Sequence, residues 1–357
     1  MIQSQAHLVV APTLAAWLHN IDPFVFRISG EFGPRWYGMA YIVGFVAAWW
    51  IFRTLAKRGR SPLEPTQAFD LIFAIAVGVL VGGRLGYVLI YQPALLFEFT
   101  ASAPWWGVLR INQGGMASHG GMVGVIVACA WFARRVKVPT LHLLDLVCLV
   151  APIGLFAGRV ANFINGELLG KIVANPGEPA PWWSVKFPQE ILTLHESGRT
   201  DEQAMQLERL LETQALASDG NDLTPAAMRM IDNIQHGDTQ LAQQLAPLLS
   251  ARAPSQLFQA LAEGVILFIV LWLIWAKPRK PGVIGANFLI FYGVMRVITE
   301  VWRLPDDHLN NPLLMGFSRG QWLSALMTLI GVVALVMVSR RKADRIGGWR
   351  TPVATEQ

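Results

Sequence analysis

Residues 158–170 read Gly158-Arg159-Val160-Ala161-Asn162-Phe163-Ile164-Asn165-Gly166-Glu167-Leu168-Leu169-Gly170. An arginine, two asparagines and a glutamate stand at the end of the run Leu141–Ile164, which is otherwise apolar enough to cross a membrane. An ionisable side chain at that depth costs about 3 kcal/mol or more unless it is paired or meets water, so it marks a functional site by default. The chain repeats the anomaly at Arg84 and Arg296. Three arginines inside lipid-spanning segments call for an anionic partner.

Working outward, composition sets the class. The chain is 53% hydrophobic and only 15% charged, against about 25% charged in soluble domains. A crossing helix needs about 17–25 mostly apolar residues. Seven windows qualify: Trp36–Phe52, Phe69–Ile90, Met116–Phe132, Leu141–Ile164, Leu257–Ala276, Gly282–Trp302 and Trp322–Val338. They lack the alternation of barrel strands, which leaves helices as the way to satisfy the backbone in lipid. The expected fold is therefore all-α and polytopic, with seven transmembrane helices.

Orientation follows from the 29 Lys and Arg. Alternate loops share a side, and one side carries fifteen of them, at positions such as Arg53, Arg134, Lys280 and Arg341. The short segments of the other side carry five: Arg27, Arg35, Arg110, Arg303 and Arg319. The positive-inside rule then puts the N-terminus outside and the C-terminus in the cytoplasm. The net +5 is this asymmetry and calls for no nucleic-acid partner. No cleavable signal peptide is expected, because no Lys or Arg precedes the apolar part of residues 1–20.

The chain divides into an outer N-terminal segment (1–35), four spans (36–164), an outer loop (165–256), three spans (257–338) and a cytoplasmic tail (339–357). Within the loop, residues 196–250 are polar, with helical stretches expected at Glu202–Ala217, Pro225–Ile234 and Thr239–Leu249. Leu207, Leu210 and Leu211 give the first an amphipathic face. The plain reading is a solvated insertion without catalytic residues. Cys129 and Cys148 lie mid-span without ligand spacing to His or Cys, as small buried hydrophobes do. No metal-ligand cluster, nucleotide-binding loop or other cofactor signature is present.

The topology places the polar residues in depth. Arg84 lies about 10 Å below the outer end of its span at 1.5 Å per residue. Arg159 and Asn162 fall in the last two turns of span four, with Glu167 just beyond. Arg296, Glu300 and Arg303 share a face at i, i+4 and i+7, and His119 and Tyr37 begin their spans at the same level. Five spans thus supply one layer below the outer headgroups. Arg84 has an interior carboxylate, Glu300 or Glu263, as its ordinary partner, and Glu300 is expected to hold Arg296 through the i, i+4 relation. The glycines around His119 permit close approach of a helix or of a ligand. Guanidinium groups bind phosphate oxygens in pairs and do not shed their proton, so Arg159 and Arg296 together point to a phospholipid headgroup.

At these residues the chain resembles the bacterial prolipoprotein diacylglyceryl transferases. Residues 158–170 match every fixed position of that family's pattern G-R-x-x-N-F-x-N-x-E-x-x-G. Matching elements follow in order: Arg35-Trp36-Tyr37-Gly38, Gly82-Gly83-Arg84-Leu85-Gly86-Tyr87, Gly114-Gly115-Met116-Ala117-Ser118-His119-Gly120-Gly121, and Tyr292-Gly293-Val294-Met295-Arg296 with Glu300. The matches span about residues 20–340. Two departures stand out. Where the family commonly shows His-Pro-Ser-Gln-Leu-Tyr-Glu, this chain reads Ala253-Pro254-Ser255-Gln256-Leu257-Phe258-Gln259, and its 196–250 insertion is longer than the usual outer loop.

The resemblance implies transfer of the sn-1,2-diacylglyceryl group of phosphatidylglycerol to the lipobox cysteine of a prolipoprotein signal peptide, at the outer face of the bacterial inner membrane. A thioether forms and glycerol phosphate leaves. In that reaction Arg159 and Arg296 would bind phosphate, supported by Asn162 and Tyr37, and His119 would be the general base. Arg84, Glu167, Glu300, Arg303 and Gly170 would line or gate the substrate site. A lipid or small-anion transporter is the alternative, but it would more often show an internal repeat with broken helices at the midplane. A purely structural membrane subunit leaves the polar layer unexplained.

Overall fold

The computed structural model describes residues 16–28, 33–111, 114–192, 197–216, 223–304 and 316–349. Most of residues 1–20, and the end of the tail, lie outside them. Helices dominate. The long ones are α1 (Trp36–Lys57), α2 (Gln67–Ile90), α3 (Ser118–Val136), α4 (Thr140–Asn165), α10 (Val283–Thr299) and α11 (Arg319–Arg340). Three short ones, α5 (Asp201–Leu216), α6 (Leu223–Gln235) and α7 (Thr239–Leu245), fill the insertion. Between them and α10, α8 (Ser255–Gln259) runs through one π-helical stretch, Ala260–Ile266, into α9 (Leu267–Trp275).

Among the described residues, six helices are long and apolar enough to cross a membrane: Trp36–Lys57, Gln67–Ile90, Thr140–Asn165, Ser255–Trp275, Val283–Trp302 and Gly320–Arg340. The expected third span is a helix too, α3, but it is not among the six. His119, Arg134 and Arg135 lower its hydropathy, as do its glycines, and the glycines have a packing job. Gly78, Gly82 and Gly86 of α2 face Gly120 and Gly124 of α3, and a Cβ at Gly86 would lie 2.8 Å from Gly120 Cα. Small residues every fourth position let two helix backbones touch. The glycine after His119 therefore serves helix contact.

The chain forms two compact units. One comprises residues 42–154, 265–294 and 324–357. Here Asp145 of α4 accepts hydrogen bonds from the backbone N–H groups of Gly282 and Gly285, both at 2.7 Å. These are orphan donors at the start of α10, so a carboxylate from another helix fixes where α10 begins. Cys129 is buried, Cys148 is partly buried, and both are free.

The other unit comprises residues 1–41, 155–264 and 295–323. It departs from an all-α fold by a small sheet of order β1-β3-β4-β2. Strand β1 (Trp17–Leu18) runs parallel to β3 (Val185–Lys186). Strand β4 (Ala251–Arg252) pairs antiparallel with both β3 and β2 (Ile172–Ala174). The strands are two or three residues long and far apart in sequence, so they carry no alternation to detect.

The three insertion helices occur close to their expected bounds, but the insertion is more than a solvated decoration. Leu207, Leu211, Met230, Ile234, Leu241 and Leu245 form a core that also buries Ile191 and packs Leu18. Arg27 donates to Asp232 at 2.8 Å, tying the N-terminal arm to α6. Beneath it, the fully buried Glu190 accepts from Arg252 Nε at 2.6 Å, Arg199 Nη2 at 2.7 Å and Ser250 Oγ at 3.1 Å.

Candidate active site

The signature stretch begins as the last turns of α4 and leaves the helix at Asn165. Gly166 takes φ +66°, which glycine adopts without steric cost, and the chain turns back so that Glu167 N–H donates to Asn162 O at 3.0 Å. The two asparagine amides then converge on one carboxylate. Asn162 Nδ2 donates to Glu167 Oε2 and Asn165 Nδ2 to Glu167 Oε1, each at 3.1 Å. Gln256 Nε2 and Ser255 Oγ hold the carbonyls of Glu167 and Leu168 at 2.5 and 3.1 Å.

Gly170 is fixed by crowding. A Cβ there would run into the Ala253 carbonyl oxygen, its own carbonyl accepts from Arg252 Nη1 at 3.1 Å, and it pairs as a β-bridge with Arg303. The buried Glu190–Arg252 pair therefore reaches the signature through one carbonyl group.

One turn inside, Arg159 and Arg296 share a carboxylate. Glu263 is fully buried. Its Oε2 accepts from Arg159 Nη2 at 3.1 Å, and its Oε1 accepts from Thr299 Oγ1 at 3.1 Å and lies 3.7 Å from Arg296 Nη1. Glu300 completes the group, 2.9 Å from Arg296 Nη2 as the i, i+4 spacing predicts, and 3.8 Å from Arg303 Nη1. Three guanidinium groups thus meet two carboxylates. Arg296 Nη1 is buried without a hydrogen-bond acceptor among the described residues. A surplus of cation with an unused donor suits an incoming anion.

Glu263 was missed as a site residue and named only as one partner for Arg84. It is a carboxylate in the middle of an apolar span, the same signal that singled out the arginines. It sits in the π-helical stretch, and π-bulges recur at functional sites because they re-aim side chains. At Gly264 a Cβ would lie 2.6 Å from Phe156 Cβ, so α4 comes close enough for Arg159 to reach Glu263.

Tyr37 opens α1 half-exposed, with its ring 5.4 Å edge-on to Tyr41. Its hydroxyl is within electrostatic reach of Arg159 and Glu167. The structure thus brings together Tyr37, Arg159, Asn162, Glu167, Gly170, Arg296, Glu300 and Arg303.

Arg84 and His119 belong to the other unit. Arg84, for which the sequence offers Glu300 or Glu263, finds its partners among backbone carbonyls of its own unit. It is buried and donates to four backbone carbonyls: Gly107 and Val108 at 2.7 Å, Gly114 at 2.8 Å and Gly115 at 3.0 Å. Loops can present several carbonyls at once, a partner set that sequence spacing does not announce. Gly115, at φ +78°, makes room for this guanidinium. His119 lies in the first turn of α3 and is exposed. Among the described residues no cluster of three His, Cys, Asp or Glu side chains is placed to hold a metal ion.

Comparison with known proteins covers nearly the whole chain. A family model described as prolipoprotein diacylglyceryl transferase matches residues 23–337. The phosphatidylglycerol–prolipoprotein diacylglyceryl transferase of Bdellovibrio bacteriovorus is 43% identical over 348 residues, covering 93% of this chain and 97% of the relative. Those of Photorhabdus laumondii and Rhodospirillum rubrum are 36% and 37% identical, over 92% of this chain and 96% and 97% of their own lengths. This chain belongs to the prolipoprotein diacylglyceryl transferase family.

Proposed function

We propose that this protein transfers the diacylglyceryl group of phosphatidylglycerol to the lipobox cysteine of a prolipoprotein. The family and the relatives' names supply the substrates. The observation in the fold that carries the reading is the cluster of Arg159, Arg296 and Arg303 about Glu263 and Glu300, one cation in excess and with an unused donor on Arg296 among the described residues.

The thiol sulfur attacks the glyceryl carbon that bears phosphate. A C–S bond forms, the C–O bond breaks, and the phosphate oxygen keeps the electron pair as glycerol phosphate departs. That carbon is unactivated, so the developing charge on phosphate needs stabilisation in place. Arg159 and Arg296 supply it, because fixed donors in a site shielded from water cost no reorganisation. Asn162 and Tyr37 assist by hydrogen bonding. Glu167, Glu300, Arg303 and Gly170 hold this arrangement, and Arg84 shapes the loop before α3. His119 takes the thiol proton, since a thiol of ordinary pKa about 8.5 is mostly protonated at neutral pH.

In this reading α3 is the seventh span. Its 19 residues reach about 28 Å at 1.5 Å per residue, close to the hydrocarbon thickness. The charge asymmetry of the loops then puts the N-terminus and the site at the periplasmic face of the inner membrane, and the C-terminus in the cytoplasm.

The test is incubation of the purified protein with phosphatidylglycerol and a peptide bearing a lipobox cysteine. A mass gain of one diacylglyceryl group on that cysteine is expected. An unmodified peptide with wild-type protein overturns the reading, and transport of the lipid without transfer would favour the transporter alternative.

A further inference from the structure

Away from the signature, the loop before α10 and the end of α11 border an open cavity of about 410 Å³. Three cations line it, Arg279, Lys280 and Arg345, together with Ser339, Asn287 and Leu335. Among the described residues, no carboxylate lines it. The reaction proposed above uses none of them.

The cations are held in place by the chain. Arg279 and Ile346 exchange backbone hydrogen bonds at 3.0 and 2.8 Å, which folds the tail after α11 back against the loop. Trp349 N–H donates to Ala276 O at 3.1 Å, and its ring stacks on Trp272 with centroids 4.9 Å apart. Arg345 is carried beside this bridge. Lys280 Nζ donates to Ser339 O in the last turn of α11 and to Arg341 O just beyond it, each at 2.8 Å. Among the described residues, Arg279 spends only its Nε, on Ile274 O at 2.9 Å. Its two Nη groups keep their donors.

The depth profile of the lining narrows the ligand. Cations gather where the helices end, and Asn287 and Leu335 lie one turn further in, about 6 Å at 1.5 Å per residue. A soluble anion needs only the rim. A glycerophospholipid places phosphate at the rim and its glycerol and first acyl carbons in the apolar throat. Basic pockets between transmembrane helices bind anionic headgroups for this reason.

We propose that this cavity seats the phosphate of an anionic glycerophospholipid from the leaflet at that end of the helices, resting on the reading that α10 and α11 cross the membrane. The lipid neutralises three cations that have no acid between them and fastens the folded-back tail to α10 and α11.

The test is native mass spectrometry of the full-length protein in detergent, with phosphatidic acid, phosphatidylcholine and inorganic phosphate as probes. Wild type should retain phosphatidic acid over phosphatidylcholine. Arg345→Gln should weaken retention about fivefold, and the Arg279→Gln/Arg345→Gln pair further, since each cation near a charged lipid contributes about that factor. Lys342→Gln removes the same charge outside the lining and should change nothing. Leu335→Trp keeps every cation but fills the throat, and should also lose the lipid. The proposal is overturned if Lys342→Gln acts as strongly as Arg345→Gln, if Leu335→Trp retains phosphatidic acid at the wild-type level, or if inorganic phosphate competes as well as the lipid binds.

Discussion

Arg159 and Glu263, 104 positions apart in the chain, meet at 3.1 Å with the carboxylate wholly buried. The same carboxylate faces Arg296 at 3.7 Å. Glu263 is thus the fixed anion against which both phosphate-binding candidates are set. Arg159→Lys should leave the fold intact, since a cation still meets Glu263. It should cut transfer at least about a hundredfold, because ammonium lacks the planar two-point fit to phosphate. Glu263→Gln should do the reverse damage, leaving Arg159 without an acid while Arg296 keeps Glu300, and costing about 3–5 kcal/mol of stability. Thermal unfolding and the transfer assay, run on both variants, separate the two effects. Near-wild-type transfer by Arg159→Lys at matched abundance would remove it from the reaction.

His119→Asn should slow transfer by about 10²–10⁴-fold at neutral pH, the usual worth of positioned proton transfer. Phosphatidylglycerol binding should persist, and raising the pH should recover part of the rate as the substrate thiol ionises unaided. A modest defect without pH rescue would identify His119 as a structural residue at the start of α3.

Cys129→Ala with Cys148→Ala should keep full transfer activity, since the reacting sulfur belongs to the substrate. Mass spectrometry of the wild-type protein after turnover provides the check. A diacylglyceryl or acyl adduct on either cysteine would contradict direct transfer.

The insertion offers a prediction on which sequence and structure part. From sequence alone, residues 200–248 look removable behind a Gly/Ser bridge. In the fold they cover Ile191 and Leu18, and Leu248 O accepts from Arg199 Nε at 2.6 Å beside buried Glu190. Deletion should lower the melting temperature markedly and reduce transfer through Arg252 and Gly170. A truncated protein with wild-type melting and transfer would return the insertion to mere decoration.

His19 gives a pH dependence. Burial among Trp17, Phe163 and Phe187 lowers its pKa from the ordinary 6.5 to about 4. The folded state therefore prefers neutral imidazole, whereas the unfolded chain takes up a proton below about pH 6.5. Stability should be full above pH 6.5 and fall progressively as the pH drops toward 4, by about 3 kcal/mol in all. His19→Phe should flatten that limb of a plot of melting temperature against pH. An unchanged slope would show that other groups set it.

The long helices were legible because apolar runs of crossing length announce themselves, and the signature was legible because charge in such a run needs a reason. Arg296 and Glu300 were legible together because one helix carries both. Glu263 was visible by the same rule but was not assigned to Arg159, since the pairing depends on a π-helical stretch and on the close approach of α4 at Gly264. The small sheet was hidden because its register joins residues 17, 172, 185 and 252 through pairings two or three residues long. The partners of Arg84 are not legible in the sequence because they are carbonyls, which every residue possesses.

Leu168 sits at φ +56°, a conformation that disfavours any side chain and costs about 1–2 kcal/mol. It is held there by Ser255 and Gln256 at the start of α8, which grip the carbonyls on either side of the Leu168 amide. Without that grip the loop would relax to ordinary backbone and release Glu167 from its asparagines. Residues 166–170 and the first turn of α8 should therefore open as one cooperative unit. Their amide protons should exchange with solvent at a common rate, distinct from that of α4, although α4 is their neighbour in the chain.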